Sequence, residues 1–229
     1  MYLYETHMHT SMVSACAVCT PAEQVQAYKL RGYTGIIVTD HFVNGYTHST
    51  KRMSWAEKMK FFMSGYERAK HEGDMHGLDV FLGWEYTIPG GMDFLTYGLD
   101  MDFLLAHPDV DKLPIKQYST LVRENGGYLA QAHPFRRAYW INTPRPIGPN
   151  LIDGVEVFNS TTSYGDNLKA YDFALRHGLV MQAGSDAHDT EPPFASGIIL
   201  REKAATIHDI IKALKSGQTE LILPEDFDI

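Results

Sequence analysis

Five histidines and three carboxylates fall where a chain would place the ligands of a metal cluster. His7 and His9 stand two residues apart at the end of Met1-Tyr2-Leu3-Tyr4-Glu5-Thr6. In an extended strand, residues i and i+2 face the same way, so one divalent ion can take both imidazoles. Asp40-His41 ends the run GIIVTDH, Glu85 ends DVFLGWE, His133 ends GGYLAQAH, and Asp186-Ala187-His188 follows one more apolar run. Each run is rich in Val, Ile, Leu, aromatic residues or Ala and reads as a buried strand. A single histidine at a strand end is most often a solvated or hydrogen-bonded loop residue, so no one of these is diagnostic by itself. The set is. Of 11 histidines, His48, His71, His76, His107, His177 and His208 lie in polar or helical stretches, whereas the other five directly follow apolar runs. In parallel α/β proteins the C-terminal ends of strands collect at one face, where sites form.

The elements that must position these residues alternate along the chain. Thr20-Pro21-Ala22-Glu23 combines an N-cap, a proline at the first helical position and a capping-box glutamate, and predicts a helix over 21–31 that stops at Gly32. A strand over 35–39 then delivers Asp40-His41, and Ser54-Trp55-Ala56-Glu57 opens a helix reaching about residue 71. Strands over 79–84 and 94–99 flank Pro89-Gly90-Gly91, and a helix over 115–125 leads to a strand over 128–132. Further strands are expected over 154–158, ending at Asn159, over 179–183 and over 197–200, with helices over 166–177 and from Thr206 to Gly217. The Pro- and Gly-rich stretch 144–150 reads as a peripheral loop rather than a domain boundary. Repeated strand-helix units predict one α/β domain over 1–229 with a parallel sheet, and ligands drawn from both ends of the chain favour its closure into a barrel.

Composition narrows the function. The 44% hydrophobic content suits a chain that buries a full core, no segment approaches the roughly 20 apolar residues of a membrane span, and the N-terminus lacks a basic and an apolar leader region. A cytoplasmic protein without a membrane partner is expected. A net charge of −8 argues against an extended nucleic-acid surface and leaves a small anionic, phosphorylated substrate possible. Arg136 and Arg137, just after His133-Pro134, or Lys51-Arg52 after His41, would hold one phosphate unless they are solvated loop charges; Arg145 is a weaker candidate. Among aromatic residues, Tyr46, Trp55, Tyr139 and Trp140 either pack or line a pocket for a base or sugar, Trp140 being the best placed. Cys16 and Cys19 form a C-x-x-C without the second pair of a structural zinc site, and read as reduced, non-catalytic thiols. Cys16 nevertheless lies seven residues after His9, near enough to approach the metal site.

Taken in order, His7-Met8-His9-Thr10, Thr39-Asp40-His41, Gly83-Trp84-Glu85, Ala132-His133-Pro134, Glu156-Val157-Phe158-Asn159 and Gly184-Ser185-Asp186-Ala187-His188 resemble the motifs of the polymerase and histidinol phosphatase (PHP) family. The resemblance covers nearly the whole chain. It implies a distorted (β/α)7 TIM-like barrel, two or three divalent ions (zinc, manganese or iron) and hydrolysis of phosphate esters. Carried over, it implies that His7, His9, Glu85 and Asp186 hold one ion, with Glu85 bridging to a second that His133 binds, and that His41 and His188 hold a third. Glu5 and Asp40 would orient imidazoles, and Asn159 would line the pocket. Two positions depart from the family. Ala15 stands where relatives carry a histidine or aspartate, leaving that place to water, substrate or Cys16. Asp93 stands where relatives carry a histidine; it either ligates, favouring manganese or iron over zinc, or merely begins a strand.

Such groups suit hydrolysis by a metal-activated water, centred on Glu85, Asp186, His41 and His188, with Arg136 or Arg137 on the phosphate oxygens. His41 or His188 could also protonate the leaving alcohol. Gly184-Ser185-Asp186 lacks the frame of a serine elbow, and no phosphate-binding P-loop is present. The expectation is therefore a metal-dependent phosphoesterase, phosphatase or phosphodiesterase, acting on a small mono- or diester. The alternatives are an amidohydrolase-type C–N hydrolase, in which a carboxylated lysine would stand where Glu85 does, and a metal-binding or regulatory domain whose catalysis has lapsed.

Overall fold

Local side-chain chemistry starts the helices where the sequence places them. Thr20, Ser54 and Thr206 each accept from the backbone N–H three residues on, and Glu23, Glu57 and Asp209 return a bond to the cap backbone. The computed structural model describes residues 1–227. Its elements are β1 (Tyr2–Met8), α1 (Pro21–Leu30), β2 (Gly35–Val38), α2 (Trp55–His76), β3 (Asp79–Ile88), β4 (Met92–Tyr97), α3 (Met101–Ala106), α4 (Ile115–Glu124), β5 (Tyr128–Gln131), β6 (Gly154–Asn159), α5 (Tyr164–His177), β7 (Val180–Gly184), β8 (Gly197–Leu200), α6 (Ile207–Lys215) and β9 (Thr219–Ile222). Short 3-10 turns lie at Val110–Lys112 and Pro149–Leu151.

The strands form one sheet in the order β7-β6-β5-β4-β3-β2-β1-β8-β9. It curls until the segment after β7 meets β1: Ala187 N donates to His7 O (3.2 Å) and His9 N to Ala187 O (2.8 Å). The result is a nearly closed, distorted TIM-like barrel. The sheet is not wholly parallel, contrary to the sequence expectation. β1, β2 and β3 run parallel, as do β5, β6 and β7, but β4 is antiparallel to both β3 and β5. The turn over Pro89-Gly90-Gly91 is too short for a helical crossover, so β3 and β4 can only form a hairpin. β8 is antiparallel to β1 and pairs with β9, a strand that the sequence pattern does not reveal because its run is short and half exposed. The six-residue α3 also escapes the pattern, and α2 runs on to His76, past the expected end.

Large aromatic side chains hold the barrel against its helices. Phe42, Phe62, Trp84 and Tyr86 are buried together. Trp84 Nε1 donates to Tyr118 Oη at 2.6 Å, and the Tyr86 and Tyr118 rings stack at 3.7 Å, which fixes α4 against β3. Trp55 belongs to this packing: its Nε1 donates to Leu104 O (2.7 Å) and its ring meets Phe42 edge-on, so it is not a pocket residue. Among the described residues, no helix is long and apolar enough to cross a membrane.

α2 comes unusually close to the strand ends at Gly65. A Cβ there would overlap Asp40 Oδ2 and stand 2.7 Å from Thr10 Oγ1. Alanine is normally the better helix former by about 1 kcal/mol. Here Gly65→Ala should instead destabilise by about 1–3 kcal/mol, the usual range for overpacking. Gly165→Ala in α5, where a Cβ meets nothing within 4 Å, should be neutral or stabilising. Urea unfolding of the two variants checks the pair, and a Gly65→Ala protein as stable as the parent would refute the close packing.

Candidate metal centre

Barrel closure brings the two ends of the chain together at the C-terminal rim. His7 and His9 leave β1 on the same side, Glu85 lies within β3, and His133 and Asp186 follow β5 and β7. All five are buried. Gly184 permits the approach of β7 to β1, because a Cβ there would stand 2.7 Å from both Glu156 Oε1 and His7 Cβ. His133 (φ 27°) and Asp186 (φ 51°) are the only non-glycine residues among those described with positive φ. Such conformations cost of order 1 kcal/mol or more each and collect at sites where the surrounding structure enforces them.

The donor atoms converge on a common point. His7 Nε2 and His9 Nε2 are 3.2 Å apart, His7 Nε2 lies 3.3 Å from Glu85 Oε1 and 3.4 Å from Asp186 Oδ1, and His9 Nε2 lies 3.5 Å from Glu85 Oε2 and 3.1 Å from Asp186 Oδ1. Four ligands held at roughly 2.0–2.1 Å from a tetrahedral ion are spaced by about 3.3 Å. Two nitrogens and two carboxylates at these separations therefore fit a divalent cation. The electrostatics agree. Burial opposes a charge on His7, but Asp186, Glu156 and Glu85 hold its imidazole well above the ordinary range, so positive charge is favoured at this point. His9, under burial and beside His188, is held well below that range and is a neutral donor.

Glu85 joins this locus to two others. Its Oε1 also meets His133 Nε2 at 3.1 Å, and Glu85, Asp93 and His133 place one ligand atom each within 4.8 Å of one another. Its Oε2 lies 2.9 Å from His41 Nδ1, and His9, His41 and His188 form a further group of the same dimension. The His41 Nδ1 contact is misaligned for a hydrogen bond and leaves that buried nitrogen unpartnered, as expected of two donors aimed at a shared ion. The structure thus gathers all eight residues proposed from sequence as ligands: His7, His9, His41, Glu85, Asp93, His133, Asp186 and His188. Burial, then the neighbouring Glu85, pushes the Asp93 carboxyl up to about 6. Despite burial, Glu85 is held well below the carboxylate range by His41 and His7, and Asp186 by Arg136 and His7.

The groups behind the ligands differ from the expectation. Glu5 touches no imidazole. It accepts from the backbone N–H groups of Thr6, His7 and Ser185 and from Tyr28 Oη and Ser185 Oγ, tying β1 to the segment after β7. His7 is oriented by Glu156, whose Oε1 accepts from Nδ1 at 2.9 Å, while Oε2 accepts from His133 N and Asn159 Nδ2. Asp40 acts at one remove: Ser14 Oγ donates to Asp40 Oδ1 (2.7 Å) and meets His9 Nδ1 at 3.1 Å. Sequence reasoning quoted Glu156 within a motif without giving it this role and gave Ser14 no role. The available signal was an acid at the centre of an apolar strand, where an unpaired charge is untenable.

Asn159 is wholly buried and links Glu156 to Asp186 rather than lining a pocket. Arg136 bonds Asp186 Oδ2, Thr161 Oγ1 and Asn159 Oδ1. Arg137 points outward, with 76% of its side chain exposed. Arg136 and Arg137 line a cavity of about 410 Å³ with Thr161, Thr162, Ser163 and Lys169. Lys51, Arg52 and Arg145 are exposed and outside this cluster, as are Tyr46, Tyr139 and Trp140. Cys16 and Cys19 are free thiols, both partly buried. Burial raises the Cys16 thiol, but His188 and His41 bring it down to about 7.

By sequence, no family model and no curated protein matches the chain. Solved structures do match in fold. A two-domain protein from Bacteroides vulgatus ATCC 8482, described as containing a predicted PHP-like metal-dependent phosphoesterase, superposes with a TM-score of 0.73 at 17% identity, over 97% of this chain and 64% of that one. Endonuclease Q in complex with a 27-mer duplex bearing an abasic lesion gives 0.61 at 15% identity, over 94% and 57%. An amidohydrolase from Chromobacterium violaceum with bound sulfate gives 0.60 at 16%, over 97% and 98%. The chain therefore shares its fold with these proteins, and it spans less than two thirds of the first two. The endonuclease overturns one expectation. The charge of −8 does not confine such a fold to small substrates or exclude an extended nucleic-acid surface, since a protein that shares the fold is solved with a duplex substrate. Net charge averages over a whole surface, whereas a polyanion responds to the local field of the groups it meets.

The donor set and its buried carboxylates support binding of divalent metal. Partners that hold a ligand imidazole in place usually contribute 10–100-fold to metal affinity. Glu156→Gln should therefore weaken binding of zinc or manganese by about that factor, because an amide cannot accept from His7, His133 and Asn159 together. Chelator competition measures it, and an unchanged affinity would remove Glu156 from the centre.

Proposed function

We propose that the chain is a PHP-family metal-dependent phosphoesterase. The observation that carries this reading is the convergence of His7, His9, Glu85 and Asp186, joined through the two oxygens of Glu85 to His133 and Asp93 on one side and to His41 and His188 on the other. When bound, adjacent divalent ions activate water and draw charge from phosphoryl oxygens. The chain's own residues supply the rest. Glu85 and Asp186 supply negative charge that would retain two or three ions, and Asp93 would add an oxygen on the His133 side. Arg136 fixes Asp186 through its second oxygen and presents a guanidinium at the wall of the adjoining cavity, where non-bridging oxygens of a phosphate would be received. Arg137 and Lys169 extend that cationic wall outward. His188, with 29% of its side chain exposed, marks the open side of the centre.

Both monoesters and diesters fit this arrangement, and a nucleic-acid strand is among the substrates to be tried, as the fold of endonuclease Q suggests. A C–N hydrolase is the second reading, favoured by the amidohydrolase of the same fold. Against it, Glu85 occupies the bridging place where a carboxylated lysine would be expected.

The test uses protein stripped by chelator and reloaded with manganese, zinc or iron(II). It is offered phosphomonoesters, phosphodiesters, single-stranded and duplex DNA with and without an abasic site, and a panel of amides. Metal-dependent ester cleavage is expected, reduced roughly a hundredfold or more in His133→Ala, the equivalent of about 2.7 kcal/mol in barrier. Cleavage of amides alone would establish the second reading. Metal-loaded, folded protein that cleaves nothing would mean that catalysis has lapsed.

A further inference from the structure

The segment after His9 doubles back across the rim of the barrel and is fastened to two loops that carry imidazoles. Ala15 N donates to Tyr46 O (3.0 Å) and His48 N to Val13 O (3.1 Å), which tie it to the loop following His41. Val18 N donates to His188 O (2.9 Å), which ties it to the segment of His188. Cys16 lies between these anchors, and its thiol has the side chains of His188 and His41 as polar neighbours. His188 Nδ1 is committed to Asp186 O at 2.9 Å, which leaves Nε2 as its ligand atom. His41 Nδ1 is buried and unpartnered beside Glu85. This outer locus contains imidazoles and a share of Glu85, whereas Asp93 serves the opposite side. Its own anionic donor is missing unless the thiol provides it.

We propose that Cys16 Sγ is a ligand of the ion held by His41 and His188, making this a thiolate-imidazole site for a soft or borderline cation such as zinc. The inference rests on the reading that the cluster binds divalent ions. On coordination the S–H proton passes to solvent and the sulfur lone pair is donated to the ion; no oxidant or reductant is involved. Thiolate selects zinc over manganese, while the carboxylates Glu85 and Asp93 beside His133 make a harder site. The two outer positions of the cluster therefore differ in the metal they prefer.

Cobalt(II) loaded into the full chain tests the assignment, because cobalt-thiolate bonds give a near-ultraviolet charge-transfer absorption that imidazole and carboxylate ligands do not. The expected result is that this absorption is present in the parent protein, persists in Cys19→Ser and disappears in Cys16→Ser, with the visible cobalt bands and the thermal transition retained. Cys16→Asp should keep the parent's cobalt stoichiometry without the charge-transfer band, and should shift the site's zinc-over-manganese preference by about tenfold or more towards manganese. Visible cobalt bands with no charge transfer in the parent would overturn the proposal while leaving the metal cluster standing. Charge transfer that survives Cys16→Ser or vanishes in Cys19→Ser would also overturn it. A parent protein that takes up no cobalt would overturn both the proposal and the metal-centre reading beneath it.

Discussion

Backbone pairing between the end of β1 and the segment after β7 is the constraint on which the rest of the molecule depends. Ala187 is bracketed by His7 and His9, donating to the carbonyl of one and accepting from the N–H of the other. That pairing closes the barrel and sets the distance between ligands nearly 180 residues apart in sequence. Glu5 reinforces it from below by accepting five hydrogen bonds from both sides of the seam. Burial pushes the Glu5 carboxyl up to about 7, even though those donors favour its charged form. The seam is thus held by a group whose full set of hydrogen bonds is necessary, because an unsatisfied buried carboxyl would cost several kcal/mol.

The same principle explains the polar floor beneath the cluster. Glu156, Asn159, Thr6, Tyr97 and Gln182 are buried inside the barrel and bonded to one another or to the strands: Tyr97 Oη donates to Thr6 O and accepts from Gln182, and Thr6 Oγ1 donates to Ala183 O. A barrel filled only with aliphatic side chains would be easier to stabilise. What this floor supplies is orientation. Glu156 directs one imidazole and holds the backbone of His133, so that two ligands on different strands answer to one carboxylate. The left-handed backbones of His133 and Asp186 fit the same pattern, since their unfavourable conformations are sustained by contacts that also aim their side chains.

Electrostatically, the centre concentrates Glu85, Asp93 and Asp186 in a volume from which water is largely excluded, and sets imidazoles and Arg136 around them. Arg136 and the ligand nitrogens divide the two oxygens of Asp186, Oδ1 facing the cluster and Oδ2 the cavity. This shared carboxylate links the cavity wall to the centre. A second coupling runs through Glu85, whose two oxygens face different imidazoles. Altering any one locus therefore alters its neighbours, and contributions measured singly will not add.

Much of this was legible in the sequence because it depends on local patterns. Helix starts at Thr20, Ser54 and Thr206 follow from capping chemistry within four residues, and the strands that carry or lead to His7, His41, Glu85, His133 and Asp186 follow from apolar runs, although β3 continues past Glu85 to Ile88. The antiparallel insertion of β4 and the pairing of β8 with β1 were not legible, since strand direction is decided by connection length and by which neighbour offers a free edge. Nor were the separate tasks of Glu5 and Glu156. Each is an acid in an apolar strand, and alternation along a strand says only which side a residue faces, not whether an imidazole or a row of amides waits there. By itself, the sequence determined which residues could bind metal and that they lie on or just after strands. Only the tertiary structure decided which of them share an ion, because the 3.1–3.5 Å separations at the first locus are set by barrel closure between segments that have no local relation.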